Sequence, residues 1–234
     1  MKTSDQELTL SILIPAYKEF ENLKILIPEL VKVLEGKHFE IIIVDSLDQD
    51  KLCMKLCDTF GVIYINRSPG NTYGDAIRTG IANIKGGRTI IMDADGSHSP
   101  SFILKMLSEM KENDLVIASR YIHGGSTSNN KVLVLMSKML NKVYSLILKL
   151  DVYDVSNSFR CYKSNQLSTL HLTSNNFDIV EEILIKLFQS KEDFKILELP
   201  FDFNRRMFGK SKRSLIIFIY SYFKTLIRLK FRRK

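Results

Sequence analysis

The sequence predicts an α/β fold in which helices flank a largely parallel sheet. From Leu10 to Ala118, short apolar runs alternate with stretches of helical periodicity, and the connections between them are short. The apolar runs are nearly continuous, as expected for strands that are covered by helices on both faces. No internal repeat and no change in composition marks a linker, so one domain is predicted for residues 1–234.

Six apolar runs are predicted strands because they are short and end at turn-forming or charged residues. The predicted strands are Leu10–Pro15, Glu40–Val44, Val62–Ile65, Arg88–Met92, Leu115–Ala118 and Lys195–Leu199. Segments with apolar residues spaced three or four apart are predicted helices. The predicted helices are Glu21–Leu34, Lys51–Phe60, Asp75–Ile84, Pro100–Met110, Val132–Leu150, Asp178–Gln189 and Ser214–Phe231.

The positive charge is concentrated at the C-terminus. The 234 residues contain 34 Lys plus Arg and 26 Asp plus Glu, for a formal net charge of +8. The segment Arg205–Lys234 holds 11 of the basic residues and no acidic one, which leaves 23 basic and 26 acidic residues before it. Because the body carries excess negative charge, general nucleic-acid binding is disfavoured, and the partner of the basic tail becomes the question.

Compartment signals favour the cytoplasm. The N-terminus lacks the apolar region of a secretory signal, and Cys53, Cys57 and Cys161 form no disulfide framework. Cys53 and Cys57 are predicted to be buried thiols, since no second Cys or His pair completes a metal site. No apolar run reaches the roughly 20 residues that cross a bilayer, so a soluble or membrane-peripheral protein is predicted.

Carboxylates follow two of the predicted strands. Asp45 comes after the second strand, and Asp93 and Asp95 come after the fourth. Ligands of open α/β sheets bind at the carboxyl ends of strands, and paired carboxylates suit Mg²⁺ or Mn²⁺ together with substrate phosphates. A lone D-x-D is equally compatible with a solvated turn, so this motif depends on its context.

The context excludes two nucleotide-binding classes. The loop from Pro69 to Gly74 carries glycines before a predicted helix but lacks the Lys-Ser/Thr ending of a P-loop. No G-x-G-x-x-G follows the first strand, which disfavours a dinucleotide cofactor.

Seven motifs in order resemble the family 2 glycosyltransferases of the GT-A fold, in particular the dolichyl- or polyprenyl-phosphate mannosyltransferase branch. The motifs are I-P-A-Y-K-E (14–19), I-V-D (43–45), P-G-N-x-x-G (69–74), D-A-D-G-S-H (93–98), S-R-Y (119–121), S-F-R-C-Y (158–162) and F-x-x-R-x-x-G-x-S-K (203–212). The resemblance implies a Rossmann-like GT-A domain with a nucleotide-sugar half at about 1–120. It also implies an acceptor and membrane-interface half at about 121–234, with C-terminal amphipathic interface helices.

The resemblance also implies residue roles. Residues implied to line the base and ribose are Pro15, Ala16, Tyr17, Glu19 and Asp45, and the Gly-bearing loop adds Gly70 and Asn71. Asp93 and Asp95 would hold Mg²⁺ or Mn²⁺ and the diphosphate, with Ser97 as a further oxygen ligand. Arg120 and Arg160 would bind a lipid phosphate, and Arg206 and Lys212 the donor phosphates, since Arg and Lys grip phosphate groups.

The implied reaction is inverting transfer of a hexose, foremost mannose, from a GDP-mannose- or UDP-glucose-type donor to a polyprenyl or dolichyl phosphate. The nucleophile is a phosphate oxygen that is already anionic at pH 7, so no strong general base is required. Catalysis then reduces to positioning and to neutralising the leaving group. No His or Cys needs to be catalytic.

The chain departs from the family pattern at two positions. The family commonly has two aspartates after the second strand, whereas here Ser46 follows Asp45, and Asp48 is the candidate substitute. Ser158 replaces a family glycine near the acceptor, which leaves the acceptor open. The loop from Gly124 to Asn130 is the predicted acceptor loop.

Several residues have an equally ordinary structural interpretation. His98 is predicted to be a loop or supporting residue rather than a ligand. Asp154 and Glu182 match acidic positions of the family, and a structural ion pair is as compatible with each as a role at the site. Arg205 lacks the motif spacing of Arg206 and is predicted to be solvated.

The basic tail favours the cytoplasmic face of a membrane. Apolar helices such as Val132–Leu150 and Ser214–Phe231 are more often core than membrane contacts, but the second has basic residues on both sides. Peripheral membrane association is therefore predicted, and a separate membrane subunit is left open. The alternatives are a family 2 enzyme that extends a surface polysaccharide or lipid-linked glycan, and an inactive basic-tailed module that binds membranes or nucleic acid.

Overall fold

Strands and helices alternate along the first half of the chain, as the periodicity predicts. The computed structural model describes residues 9–128, 131–209 and 224–228. Its strands are β1 (Leu10–Pro15), β2 (Phe39–Asp45), β3 (Ile63–Asn66), β4 (Arg88–Ile91), β5 (Leu115–Ser119), β6 (Ser126–Thr127), β7 (Arg160–Lys163), β8 (Ile196–Pro200) and β9 (Asp202–Phe203). Its helices are α1 (Phe20–Val33), α2 (Lys51–Phe60), α3 (Tyr73–Ile81), α4 (Phe102–Glu109), α5 (Lys131–Leu148), α6 (Ser164–Ser168) and α7 (Ile179–Ser190).

The main sheet of the described residues has seven strands in the order β3-β2-β1-β4-β7-β5-β8. Every neighbouring pair is parallel except the two that involve β7, which runs antiparallel between β4 and β5. A short parallel pair, β6 with β9, lies outside this sheet. The predicted α/β class with a mostly parallel sheet is therefore confirmed, and the antiparallel strand is a feature that the sequence analysis did not predict.

The core lies on both faces of the sheet, which explains the continuous apolar runs. In β1, Leu10, Ile12 and Ile14 pack with one cluster of buried residues, whereas Leu13 packs with the cluster on the opposite face. Helices α1 and α4 contribute to the first cluster, and α3 and α7 contribute to the second. Alternate side chains of each central strand are thus covered by different helices. The predicted burial of Cys53 and Cys57 is confirmed, since both thiols are free and buried.

Helix α3 begins with a capping box that fixes the preceding loop. Thr72 Oγ1 accepts a hydrogen bond from the Asp75 amide at 3.1 Å, and Asp75 Oδ2 accepts one from the Thr72 amide at 3.0 Å. The helix therefore starts two residues earlier than the predicted Asp75. This cap places the loop of Gly70 and Asn71 directly at a helix N-terminus.

Residues 224–228 are helical and dock on the body next to α7. Thr225 Oγ1 donates a hydrogen bond to Asp178 Oδ2 at 2.6 Å, and Leu226 is buried in the core, whereas Ile227 is exposed. This part of the predicted Ser214–Phe231 helix packs against the protein, and the rest of that helix lies outside the described residues. No helix among the residues described here is long and apolar enough to cross a membrane.

Glu182 of α7 joins three parts of the chain. Its buried carboxylate accepts hydrogen bonds from the amides of Thr173 and Ser174, and it forms ion pairs with Lys186 and Arg228. Burial alone would raise the pKa of Glu182, but the bonds from Lys186 and from residues 173–174 outweigh it and lower the pKa to about 2. These contacts support a structural role for Glu182.

Replacing Glu182 by Gln is expected to lower stability at pH 7 and to flatten its acid dependence. The folded pKa of about 2 lies below the ordinary value of 4.5. The ionised form therefore contributes stability, on the order of 3 kcal/mol, that is present above about pH 4.5 and is lost as the pH falls toward 2. Urea unfolding between pH 7 and pH 2.5 measures this. Exposed Glu192→Gln is the control, and an equal pH slope in wild type and Glu182→Gln would contradict the assignment.

Candidate active site

The carboxyl ends of the parallel strands bring most of the predicted site residues to one edge of the sheet. Pro15 of β1 is in register with Val44 of β2, and the Ala16 amide donates to the Val44 carbonyl at 2.9 Å. Asp45 ends β2, and Asp93 follows β4, which pairs with the other side of β1. The predicted gathering of Ala16, Asp45 and the D-A-D motif at this edge follows directly from the topology.

A buried arginine, Arg67, ties this edge together. Its Nε donates to the Asp45 carbonyl at 3.0 Å, and its Nη2 donates to the Ala16 carbonyl. Its Nη1 donates to the carbonyls of Thr72 at 3.1 Å and Asn71 at 3.4 Å. One guanidinium therefore fixes the ends of two strands and the Gly-bearing loop relative to one another. The sequence analysis missed Arg67, whose one sequence signal is a basic residue directly after β3.

Nearby carboxylates and an aromatic ring stabilise the charged form of Arg67. Burial lowers its pKa, while the carboxylates of Asp45 and Asp75 act in the opposite direction. The ring of Tyr17 lies 5.7 Å from the Arg67 guanidinium carbon, within the range of a cation–π contact. Arg67 therefore contacts Tyr17, which is predicted to bind the base, as well as Ala16 and Asp45.

A cleft of about 260 Å³ opens beside Asp45. It is lined by Lys18, Asp45, Ser46, Asp48, Gln49, Asp50, Lys51 and Leu52. Asp45 accepts hydrogen bonds from the Ser46 amide at 2.7 Å and from the Tyr64 hydroxyl at 3.1 Å. Burial raises the pKa of Tyr64 to about 12, so this hydroxyl keeps its proton. Asp48 lies in the same cleft, where the sequence analysis expected a substitute for the second family aspartate.

A carboxylate–thiol cluster borders this cleft. Oxygens of Asp45 and Asp50 and the sulfur of Cys53 lie within 4.8 Å of one another. Burial raises the pKa of the Cys53 thiol far above its ordinary value, and Asp50 Oδ1 caps α2 by accepting from the amides of Leu52 and Cys53. Asp50 and Cys53 thus have structural contacts at the start of α2.

Asp95, which follows β4 at the same edge of the sheet, lies at the centre of a polar network. Its Oδ1 accepts hydrogen bonds from the Ser97 amide at 3.0 Å and the Ser97 hydroxyl at 2.5 Å. Its Oδ2 lies 3.3 Å from Arg206 Nε. The structure thus brings together three residues that the motifs assigned to metal and diphosphate binding, and Ser97 contacts Asp95 directly.

Arg206 joins Asp95 to Glu19. Arg206 Nη1 donates to both carboxylate oxygens of Glu19, at 2.9 and 3.0 Å. Asn22 of α1 donates to Glu19 Oε2 at 2.6 Å, and its side-chain oxygen accepts from the Phe208 amide at 3.0 Å. These bonds hold the segment that carries Arg206 across the start of α1. Arg206 therefore lies at the carboxyl edge of the sheet, although it comes from the C-terminal part of the chain.

Met207 of the same segment covers Gly96 of the D-A-D-G-S-H motif. Gly96 has φ +79°, and a Cβ atom on it would overlap the Met207 side chain. The Met207 amide also donates to the Asp95 carbonyl at 3.0 Å. The backbone conformation therefore favours glycine here, and the exposed Met207 side chain would have to move to admit a Cβ atom.

Asp93 is supported by Ser158 and His98. The Ser158 hydroxyl donates to Asp93 Oδ1 at 3.0 Å, so the serine that replaces the family glycine contacts the predicted metal ligand. His98 Nδ1 accepts from the Asp93 amide at 2.9 Å, and its ring stacks on Phe159 at 4.7 Å. Burial lowers the pKa of His98, which keeps the ring neutral and able to accept this bond. The predicted supporting role of His98 agrees with this geometry.

The chemistry of the Asp93 and Asp95 side chains suits a hard divalent cation. Both offer carboxylate oxygens in the turn after β4, and their side chains keep 29% and 17% of their surface exposed. Mg²⁺ and Mn²⁺ prefer oxygen ligands and often bind through one or two carboxylates together with substrate phosphates. These two residues would hold such an ion.

Arg120 forms a bidentate ion pair with buried Asp154. Its Nε and Nη2 donate to the two Asp154 carboxylate oxygens at 2.8 and 2.7 Å, and the Arg120 amide donates to Oδ2 at 3.0 Å. Burial would raise the pKa of Asp154, but Arg120 outweighs it and the pKa is lowered. The Arg120 side chain also lies over the rings of Tyr121 and Phe203. Asp154 therefore orients Arg120, one of the two alternatives that its sequence position left open.

Arg160 lies in the protein interior rather than at the surface of the site. It is fully buried in β7, and its guanidinium donates to the carbonyls of Val180 at 3.0 Å and Val155 at 2.6 Å. In this arrangement the side chain supports the backbone beneath the site, and contact with a ligand phosphate would need a different side-chain position. Its predicted phosphate-binding role stays a prediction.

Three predicted site residues remain, and two of them lie within the described part of the chain. Gly70 and Asn71 lie in the loop that Arg67 and the α3 cap hold at the edge. Lys212 lies outside the described residues, as do the Lys230–Lys234 end of the basic tail and the last two residues of the predicted acceptor loop. The described part of that loop contains β6, which pairs with β9.

Comparison with solved structures identifies the fold as GT-A. The glucosyl-3-phosphoglycerate synthase of Mycobacterium tuberculosis, crystallised with Mn²⁺, UDP and glucosyl-3-phosphoglycerate, superimposes with a TM-score of 0.74. The match covers 97% of this chain and 81% of that chain at 17% identity. The same synthase crystallised with Mg²⁺ and UDP gives a TM-score of 0.73, again at 17% identity, and covers 97% and 80% of the two chains.

Residues 11–170 match the model of Glycosyl transferase family 2. The chain therefore belongs to this family, and the resemblance predicted from the motifs is confirmed. A dolichol-phosphate mannosyltransferase of Pyrococcus furiosus is 30% identical over 86% of this chain and 58% of its own length. A polyprenol monophosphomannose synthase of Mycolicibacterium smegmatis is 28% identical over 87% of this chain and 80% of its own length. The chain thus spans little more than half the length of the Pyrococcus relative.

Replacing Arg67 by Lys is expected to destabilise the protein by about 2 kcal/mol. Lys keeps the charge but loses the planar fork, so several buried carbonyls would lose their donor. Urea unfolding measures the change, with exposed Arg205→Lys as the matched control. Equal stability of Arg67→Lys and wild type would show that this guanidinium does not hold the edge together.

Proposed function

We propose that this protein is a metal-dependent, inverting glycosyltransferase. It transfers a hexose, foremost mannose, from a nucleotide sugar to a polyprenyl or dolichyl phosphate. The observation that carries the proposal is that the Arg206 guanidinium lies 3.3 Å from Asp95, in the turn that also carries Asp93, at the same carboxyl edge of the sheet as the cleft at Asp45. Paired carboxylates and a guanidinium at the edge suit a diphosphate, and the cleft suits a nucleoside. The two curated relatives are named as mannosyl-transferring enzymes, which supports this choice of acceptor and sugar.

The cleft supports guanine as the donor base. Its lining includes exposed Asp48, whose carboxylate oxygens when ionised only accept hydrogen bonds. Guanine offers its ring N–H and exocyclic amino group side by side to such acceptors, whereas uracil places its single N–H between two carbonyl oxygens. A GDP-sugar is therefore the proposed donor, and a UDP-sugar is the alternative.

The leaving diphosphate is the group that the site stabilises. Asp93 and Asp95 would hold the divalent cation, Mg²⁺ or Mn²⁺, which would supply Lewis-acid neutralisation of the diphosphate. Arg206, and Lys212 beyond it, supply donors to the phosphate oxygens. Glu19 holds the Arg206 guanidinium at this position through two hydrogen bonds. Since the charge that develops in the reaction lies on the diphosphate, this preorganisation lowers the barrier.

The acceptor side is assigned to Arg120. Its guanidinium is fixed by Asp154 and Ser156 and lies close to Phe203 at the end of β9. A phosphate monoester is already anionic at pH 7, so orientation by an arginine fork replaces general-base catalysis. Arg160 is proposed as the second acceptor-side cation, a role that requires its side chain to leave the carbonyls of Val155 and Val180.

A peripheral position at the cytoplasmic face of a membrane is proposed for the whole protein. Helix α5 exposes Leu135, Met139 and Leu146 along one stripe, each more than 60% accessible, with exposed Lys138 and Lys142 beside them. An apolar stripe with flanking cations suits an anionic lipid surface, and the basic tail adds charge of the same sign. The single domain would then divide into a donor half at about 1–120 and an acceptor and membrane half at about 121–234, with a separate membrane subunit as a possible partner.

A second function is favoured by one observation. Arg160 donates to backbone carbonyls and is fully buried, so one of the two predicted phosphate-binding arginines is engaged elsewhere. A family 2 enzyme that extends a surface polysaccharide or a lipid-linked glycan requires no such phosphate contact. Sugar acceptors are therefore included beside polyprenyl phosphate in the test.

Replacing Asp95 by Asn is expected to reduce hexose transfer at least about 100-fold, because one carboxylate ligand of the divalent cation is lost. Radiolabelled GDP-mannose and UDP-glucose are each incubated with polyprenyl phosphate and Mn²⁺, and lipid-extracted product is counted. Calorimetric titration with Mn²⁺ gives the metal affinity independently. Exposed Asp151→Asn is the matched control and is expected to retain wild-type transfer.

The outcomes separate the proposed functions. Product with polyprenyl phosphate supports the first, and product with sugar acceptors alone supports the second. A preference for UDP-glucose would contradict the guanine assignment but not the reaction class. Equal transfer by Asp95→Asn and wild type would overturn the metal role.

A further inference from the structure

We propose that Arg228, in the C-terminal helical segment, is a positioning residue for the donor site. It holds residues 173–175 against the start of α3, and α3 holds the loop of Gly70 and Asn71. This inference rests on the proposed function, because it concerns the affinity of the donor nucleotide. It goes beyond that function by assigning a site-forming role to a residue that lies outside the family motifs.

The first step is the docking of Arg228. Its Nη1 donates to Thr173 Oγ1 at 2.8 Å, and its Nη2 donates to Ser174 Oγ at 2.6 Å. Nη2 also lies 3.6 Å from Glu182 Oε2, which accepts from the Thr173 and Ser174 amides. One cation and one buried carboxylate therefore hold the same two residues, the cation through their hydroxyls and the carboxylate through their amides. A charged network of this kind holds its members in a defined arrangement.

The second step leads from residues 173–175 to α3. The Gly74 amide donates to the Asn175 carbonyl at 2.8 Å, and a Cβ atom on Gly74 would overlap the Ser174 carbonyl oxygen. Arg78 donates to the Ser174 carbonyl at 2.5 Å and to Asn175 Oδ1 at 3.0 Å. The glycine of the P-G-N-x-x-G motif is thus explained by contact with residues 174–175, and not only by a requirement of the donor.

The third step leads from α3 to the loop. Arg78 Nη2 donates to Asp75 Oδ1 at 2.8 Å, and Asp75 Oδ2 accepts from the amide and hydroxyl of Thr72 at 3.0 and 2.6 Å. A Cβ atom on Gly70 would lie 2.6 Å from Asp75 Oδ2, so the loop lies directly against this carboxylate. Asp75 is therefore bonded to Thr72 at the end of the loop and lies in close contact with Gly70.

The loop is held on its other side by Arg67, which donates to the carbonyls of Asn71 and Thr72 and to that of Asp45. The Asn71 side-chain oxygen also accepts from the Leu47 amide at 3.4 Å, beside the nucleoside cleft. Gly70 and Asn71 are thus fixed between two arginine-centred networks. Arg67 anchors the loop to the strand ends, and Arg228 anchors it to the C-terminal helical segment.

Replacing Arg228 by Ala is expected to weaken donor binding about three- to tenfold, since loss of its hydrogen bonds lets residues 173–175 and the loop shift. The affinity of GDP with Mn²⁺, and of UDP with Mn²⁺ in parallel, is measured by calorimetry well below the melting temperature of each variant. Arg228→Lys, which keeps the charge but cannot bond both hydroxyls as a fork, is expected to fall between Ala and wild type. Exposed Lys224→Ala on the same helical segment is the matched control.

A double-mutant cycle tests the route. If Arg228 acts through the loop, its effect on nucleotide affinity shrinks in the Asn71→Ala background, whereas independent effects would add. A lower melting temperature of Arg228→Ala with unchanged nucleotide affinity would overturn the proposal, because Arg228 would then serve stability alone. If Arg228→Ala does not fold, Arg228→Lys decides by the same two readouts. Wild-type protein that binds neither nucleotide would instead refute the proposed function.

Discussion

The organisation of the site depends on one buried cation at the place where parallel strands end. At the carboxyl ends of β1 and β2, the Arg67 side chain donates to the carbonyl of Ala16 and to that of Asp45, which also accepts from the Arg67 amide at 3.0 Å. A guanidinium suits this position because its donors lie in a fixed plane and point in several directions. Burying it without acceptors would cost several kcal/mol, so the loop that provides the Thr72 carbonyl is drawn to the same point. Arg67 therefore fixes the strand ends and the loop relative to one another, and Asp45 at one of these ends lines the nucleoside cleft.

The other cations of the site follow the same rule. Arg206 is shared by Glu19 and Asp95, and Arg120 is paired with Asp154. Each side chain is held by a carboxylate before any ligand contact is considered, so a phosphate meets groups whose orientation is already fixed. Such preorganisation reduces the reorganisation needed during reaction. It also explains why buried carboxylates such as Asp154 have lowered pKa values despite complete burial.

Sequence reasoning predicted the parts of this protein that depend on local pattern. Most of the described helices, the parallel strands and the positions of Asp45, Asp93 and Asp95 after their strands follow from periodicity and from the rule that strand ends carry ligands. It missed β7, because a four-residue strand that contains Arg160 has no alternation and its charge is satisfied only by distant carbonyls. It missed Arg67 for the same reason: the acceptors of this residue are backbone atoms of remote segments. Ser158 was recognised as a departure, but its bond to Asp93 required the antiparallel strand to be in place.

The basic residues of the C-terminal stretch have different contacts in the structure. The sequence predicts donor phosphates as the partner of Arg206 and Lys212, and an anionic membrane surface as the partner of the end of this stretch. Among the described residues, Arg206 lies among the carboxylates of the site and Arg228 lies between Thr173, Ser174 and Glu182. A body with a small excess of acidic residues supplies the partners for both. Net charge alone therefore overstates what is available to a membrane, because part of it neutralises buried carboxylates that the fold needs ionised.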